Sequence, residues 1–143
     1  MSRGGEVSAP FAGEERLFRL RLGELRQLQE MCGDVGPGTI IGRLRATGPV
    51  WQRPWLVDDV RGPILLGLVG AGMDRQKATR LVVKWLDEPQ DWAAHTSLAS
   101  VVILAAITGP KDEPIDAQAE GGDDPPGKAT AGAPAGSPSP AST

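Results

Sequence analysis

Residues 55–72 read Trp-Leu-Val-Asp-Asp-Val-Arg-Gly-Pro-Ile-Leu-Leu-Gly-Leu-Val-Gly-Ala-Gly, and this stretch constrains the fold more than any other. It is apolar over a helix-length span and carries glycines within that span. A helix that is apolar on most sides must be covered on most sides. Glycine has no side chain to keep a neighbour away, so it marks where the covering elements come closest. The stretch therefore predicts a central helix over about 60–71 in a small helical core. Asp58 or Asp59 can cap it, Gly67 can admit a close neighbour, and Gly70 or Gly72 can stop it. Pro63 makes its first turn irregular, because it lacks the amide a helix uses.

The flanking segments predict what covers that helix. Phe18, Leu20 and Leu22 alternate with Arg19 and Arg21, the period of a strand with one buried face. Val7 and Phe11 suit a partner strand, Ala12-Gly13-Glu14 a turn, and Pro10 an edge position. A hairpin over 6–22 follows, and a lone hairpin is marginal unless it lies on helices. Leu22, Leu25, Leu28 and Cys32 fall at helical spacing, with Gly33 as the stop. Thr39 can cap a second short helix bearing Ile40, Ile41 and Leu44. Pro49 and Pro54 make 49–57 an extended connection. Asp74 caps a helix that buries Ala78, Leu81, Val82, Trp85 and Leu86. Glu88-Pro89-Gln90 ends it. Asp91 starts a last helix with Leu98, Val101, Val102 and Ala105 as its stripe, and Trp92 joins the helix–helix core. The predicted class is mainly α (α+β): an N-terminal β-hairpin packed on a bundle of about five helices over residues 1–109.

Composition divides the chain. Residues 110–143 hold Lys111 and Lys128 against Asp112, Glu113, Asp116, Glu120, Asp123 and Asp124, a formal charge of −4. The whole chain is −3, which leaves residues 1–109 near +1. Ile115 is the one large apolar residue of the acidic part, too little to offset an ordering cost of about 1–2 kcal/mol per residue. Residues 110–143 thus read as a disordered acidic tail rich in Pro, Gly and Ala. The near-neutral remainder offers no footprint for nucleic acid. No apolar run reaches the roughly 20 residues of a membrane span, and no secretory signal is visible.

Chemistry is sparse. Asp58 and Asp59 form an acidic pair, but a metal site needs more ligands, and a helix cap explains both. Gly67, Gly70 and Gly72 sit late in an apolar helix, where a dinucleotide fingerprint needs glycines between a strand and a helix. His95 and Cys32, each the single residue of its type, lie far apart in sequence, and Cys32 occupies a core-type position. No catalytic residue, cofactor site or metal site is predicted. The candidates for partner binding are Trp51, Arg53 and Trp55. Trp51 lies beside Arg53 in a Pro-bounded loop, and both residue types are enriched at hot spots. For Trp51, covering the core edge and meeting a partner are equally open. Trp55, just before the acidic pair, can fold back on the helix as a staple.

The order of these signals resembles the gene transfer agent and phage family labelled tail tube protein or tail assembly chaperone. The resemblance rests on Phe18-Arg-Leu-Arg-Leu-Gly-Glu-Leu25 with Leu28-Gln29; on Gly33 through Ile41; on Trp55 with Asp58-Asp59-Val60-Arg61; on Ile64-Leu-Leu-Gly-Leu-Val-Gly70 with Gly72-Met73; on Ala78 with Leu81-Val82-Val83; and on Leu98-Ala99 through Gly109. It covers most of residues 6–109. Pro63, the Pro49–Pro54 loop and the acidic tail depart from it. The resemblance implies a non-enzymatic tail assembly chaperone that helps the tail tube form around the tape measure protein. The implied partners are the tape measure protein and the major tail protein, with homo-oligomerisation open. The implied place is the cytoplasm of the producing bacterium during assembly, or the tail itself. The alternatives are a structural component of the tail tube and a small adaptor domain unrelated to tails.

Overall fold

A computed structural model describes residues 4–109. The acidic tail expected over 110–143 lies outside the described residues. The hairpin consists of β1 (Glu6–Phe11) and β2 (Glu14–Arg19), paired antiparallel with Phe11 opposite Glu14 and Glu6 opposite Arg19. Ala12 and Gly13 make the two-residue turn with φ of 56° and 80°. Positive φ at both positions is what a type I′ turn needs, and its twist matches the strands. Phe11 and Phe18 face inward and meet edge to face at 6.3 Å.

Five α-helices follow: α1 (Leu22–Met31), α2 (Pro37–Leu44), α3 (Val57–Gly70), α4 (Arg75–Val82) and α5 (Thr96–Thr108). The middle one is the expected central helix: α3 packs against β2 and all four other helices. Val60, Ile64, Leu65, Leu66 and Leu68 on it are buried. Each such side chain contributes about 1.5–3 kcal/mol.

The glycines of α3 mark its contacts. A Cβ on Gly62 would fall 2.7 Å from Leu28 Cδ1 of α1, and one on Gly67 would fall 3.1 Å from Val102 Cγ1 of α5 and 3.2 Å from Phe18. A Cβ on Gly70 would land on the Arg19 carbonyl oxygen, which is backbone and cannot swing aside. So Gly70 is where the hairpin sits on α3, and Gly72 is the stop. Gly72 has φ +113°, its amide donates to Val69 O, and the Met73 amide donates to Leu68 O at 3.0 Å. That pair of bonds is a Schellman ending. Gly33 (φ +89°) ends α1 in the same way, with Asp34 N–H donating to Gln29 O at 2.7 Å.

Several local expectations shift. Leu22 opens α1 and is 63% exposed, because the buried stripe starts with Leu25 and Leu28. Arg21 precedes that helix, and its backbone N–H donates to Glu24 Oε1 at 2.9 Å while its guanidinium grips both oxygens. Those hydrogen bonds hold the Glu24 carboxyl below the ordinary range. The second helix begins at Pro37 with Gly36 before it, so Thr39 does not cap it. Proline suits a first turn, whose amides have no partner inside the helix. The central helix begins three residues earlier than expected, at Val57, and Pro63 lies inside it and buried.

Asp74 caps α4 as expected, accepting from Lys77 N–H at 3.2 Å. The helix then widens into a π turn over Val83–Asp87, with Glu88 N–H donating to Val83 O at 2.8 Å. The wider turn brings Leu86 into line with Ala78 and Val82 and rotates Trp85 outward, to 41% exposure. Trp85 is therefore not a core residue, whereas Trp92 does pack against the core. Asp91 does not start the last helix: a short 3-10 turn, Ala93–His95, intervenes before α5.

The glycine contacts predict unequal responses. Gly70→Ala forces the Arg19 backbone aside and should lower stability by about 1–3 kcal/mol or more. Gly72→Ala meets no neighbour and carries only the backbone strain, about 1–2 kcal/mol. Denaturant unfolding of both variants checks this, and a Gly70→Ala protein as stable as the parent would refute the hairpin contact.

Candidate functional site

The connection between α2 and α3 is closed at its base by one ion pair. Arg43, near the end of α2, donates from Nε to Asp59 Oδ2 at 2.8 Å and from Nη2 to Asp59 Oδ1 at 2.7 Å. Asp59 is 0% exposed. Its Oδ2 also accepts the Leu56 N–H at 2.8 Å. Leu56, not Asp58 or Asp59, holds the cap position, and Asp59 closes the first turn from inside the helix. Arg43 Nη2 donates further to the Cys32 carbonyl at 3.1 Å, which ties in the end of α1. The Cys32 thiol is 3.5 Å from the Asp58 carbonyl, to which it donates. Burial, with Asp59 beside it, pushes the Cys32 thiol up to about 12. At neutral pH Cys32 is an unreactive packing residue.

Above this base the chain closes on itself. Arg53 donates to Leu44 O at 3.1 Å and to Gly48 O at 3.0 Å. The Trp55 indole N–H donates to Val50 O at 2.8 Å, and its ring packs against the core. These bonds hold a 3-10 turn, Val50–Gln52, with Trp51 at its middle and 72% exposed. Leu56 and Val57, at the entry to α3, are also exposed. The three predicted binding residues therefore divide the work. Arg53 and Trp55 spend their polar atoms inside the loop, and Trp51 is the side chain they present. Sequence reasoning found the loop but missed Arg43. The signal for it is slight: one arginine on an apolar helix, with its carboxylate partner on the far side of the loop.

The remaining candidates have separate partners. His95 is edge-on to Phe11 at 5.6 Å, and its Nδ1 lies 2.8 Å from the Asp91 carbonyl. A carbonyl only accepts, so Nδ1 carries the proton there. Asp58 stands partly buried in the first turn of α3, where the helix dipole favours a negative charge. Among the described residues no group of three or more His, Cys, Asp and Glu side chains stands ready to hold a metal ion. No helix among them is long and apolar enough to cross a membrane.

The described fold is a small helical body that presents Trp51 on a tied loop. The chain belongs to the family described as "Phage tail tube protein, GTA-gp10", which matches residues 4–109. This is the gene transfer agent and phage tail family that the sequence resembles. No curated protein and no solved structure matches the chain.

Two outcomes follow from the base of the loop. Arg43→Met leaves a buried carboxylate without its cation and should cost about 3–5 kcal/mol, whereas Trp51→Ala, at an exposed position, should stay within about 0.5 kcal/mol. Denaturant titrations that gave the two variants equal stability would overturn this assignment. Cys32 supplies a pH signature. Its thiol is raised on folding, so its contribution is complete below the unfolded thiol value, about 8.5, and is lost as pH rises toward about 12. The parent should lose stability on that alkaline limb more steeply than Cys32→Ala, and parallel limbs would contradict the assignment.

Proposed function

We propose that this chain is a non-enzymatic protein of the tail of phage-like particles, and that it works through protein contacts made by the Trp51 loop. The observation that carries the reading is the family match, which spans the described fold from hairpin to last helix. The state of the reactive side chains agrees with it. The Cys32 thiol is buried and protonated, and the His95 ring is held by a backbone carbonyl and Phe11.

The first form of this reading is a structural component of the tail tube, located in the particle, as the family description favours. The second is the assembly chaperone implied by the sequence resemblance. In that form the chain would act on the tape measure and major tail proteins in the cytoplasm of the producing cell. One observation favours it: the described sheet has two strands, whereas a tube ring would be expected to draw on a larger β-rich body.

Quantitative mass spectrometry of purified tails and of the unassembled fraction from producing cells separates the two. Stoichiometric protein in finished tails supports the tube component. Enrichment with unassembled tape measure protein, and absence from tails, supports the chaperone. Absence from both fractions would sink the tail reading and leave an adaptor domain. Trp51→Ala should weaken co-purification with tail proteins by about tenfold or more, the scale of a hot-spot tryptophan. Undiminished recovery by a folded Trp51→Ala protein would remove the loop from the partner surface.

A further inference from the structure

The outward face of α4 and its π turn carries Lys77, Arg80 and Lys84, all exposed. They lie opposite the buried line of Ala78, Val82 and Leu86. Spacings of three and four residues put the cations on one stripe, about 4.5 and 6 Å apart along the axis. Among the described residues no hydrogen bond or ion pair engages their charged groups. The nearby carboxylates are committed elsewhere or stand at the ends. Asp74 accepts the Lys77 backbone N–H as the helix cap. Asp87 takes Arg61 at 3.0 Å and the Trp92 indole at 3.4 Å. Glu88 closes the far end of the face without pairing with Lys84. Three like charges at helical neighbour spacing oppose the helix that carries them.

The ground beside the stripe is shaped. Two shallow grooves, of about 450 and 390 Å³, share Thr79 and Arg80 and together run from Arg75 to Glu88, with Val83 between. On the other flank stand Leu81, partly buried, and Trp85, which the π turn rotates outward. π turns inside α-helices recur at functional positions.

We propose that this face docks an acidic amphipathic helix of another protein. Carboxylates three, four and seven residues apart on a partner helix repeat at the spacing of Lys77, Arg80 and Lys84. Apolar residues next to them would cover Trp85 and Val83. The extent of the face favours a short acidic helix over a nucleic acid. The stripe is two helical turns long, and Asp74 and Glu88 bracket it, so a longer polyanion would run onto carboxylates at both ends. Residues 1–109 also carry almost no net positive charge. The site is separate from the Trp51 loop and does not depend on which tail role the chain plays.

The test uses the full chain and a labelled synthetic helical peptide with Glu at every third or fourth position and Leu beside each. Its Gln counterpart and a single-stranded DNA oligonucleotide serve as competitors. Fluorescence anisotropy should show binding of the Glu peptide that weakens with added salt. Arg80→Glu is the decisive variant. It sets a carboxylate between Lys77 and Lys84, which favours the helix while breaking the stripe. It should weaken binding about tenfold or more while the melting temperature holds or rises. Trp85→Ala should weaken binding as well. The proposal is overturned if the Glu peptide fails to bind, if the Gln peptide binds equally well, or if Arg80→Glu binds as the parent does. DNA displacing the peptide at equal charge would assign the face to nucleic acid instead.

Discussion

The Arg43–Asp59 pair is the interaction on which most of this architecture leans. A carboxylate with no exposure to water is costly to bury alone. Here it is met by two guanidinium nitrogens and one backbone amide, so its oxygens are satisfied from two directions. The same guanidinium reaches the Cys32 carbonyl. One buried charge thus sets the end of α1, the end of α2 and the start of α3 against each other. A hydrophobic contact could hold the three elements together, but it would not specify their angles. Charge-assisted bidentate bonds do, because they weaken steeply with misalignment.

Much of the fold is legible in the sequence because its signals are local. The alternation through Phe18 and Leu20, the stops at Gly33 and Gly72, and the cap at Asp74 each depend on residues a few positions apart. The expectations that shifted depend on distant partners. Trp85 has the spacing of a buried residue on an ideal helix, and only the widened turn displaces it. Nothing between Val83 and Asp87 announces that turn, although Asp87, which pairs with Arg61 and Trp92, lies at its end. Asp59 is legible as a residue of the helix start, but its place inside the first turn and its burial against Arg43, sixteen residues earlier and across a loop, are not. The loop itself is visible from Pro49 and Pro54. That Arg53 and Trp55 face inward is not, because their partners are backbone carbonyls that any sequence would supply.

The family match and the physical reading meet in different parts of the molecule. The match spans α3 with its glycines, the hairpin over it and the apolar α5. The two surfaces proposed to meet partners, the Trp51 turn and the outward side of α4, lie outside that core. Packing around α3 is demanding, as the Gly70 contact with the Arg19 backbone shows. It fixes the scaffold and leaves the Trp51 loop and the outward face of α4 exposed.

The tied loop has a further consequence. Arg53 and Trp55 fasten it within the folded chain, so its conformational entropy is lost at folding and not at the moment of association. A partner docking at Trp51, as proposed, would meet a rigid feature. Affinity there is therefore sensitive to residues that the partner never touches. Loosening the carbonyls of Leu44 or Gly48 from Arg53 would return the ordering cost to the binding step. Under the proposed function, recognition by this loop is thus controlled in part from the end of α2, which Arg53 reaches through the Leu44 carbonyl.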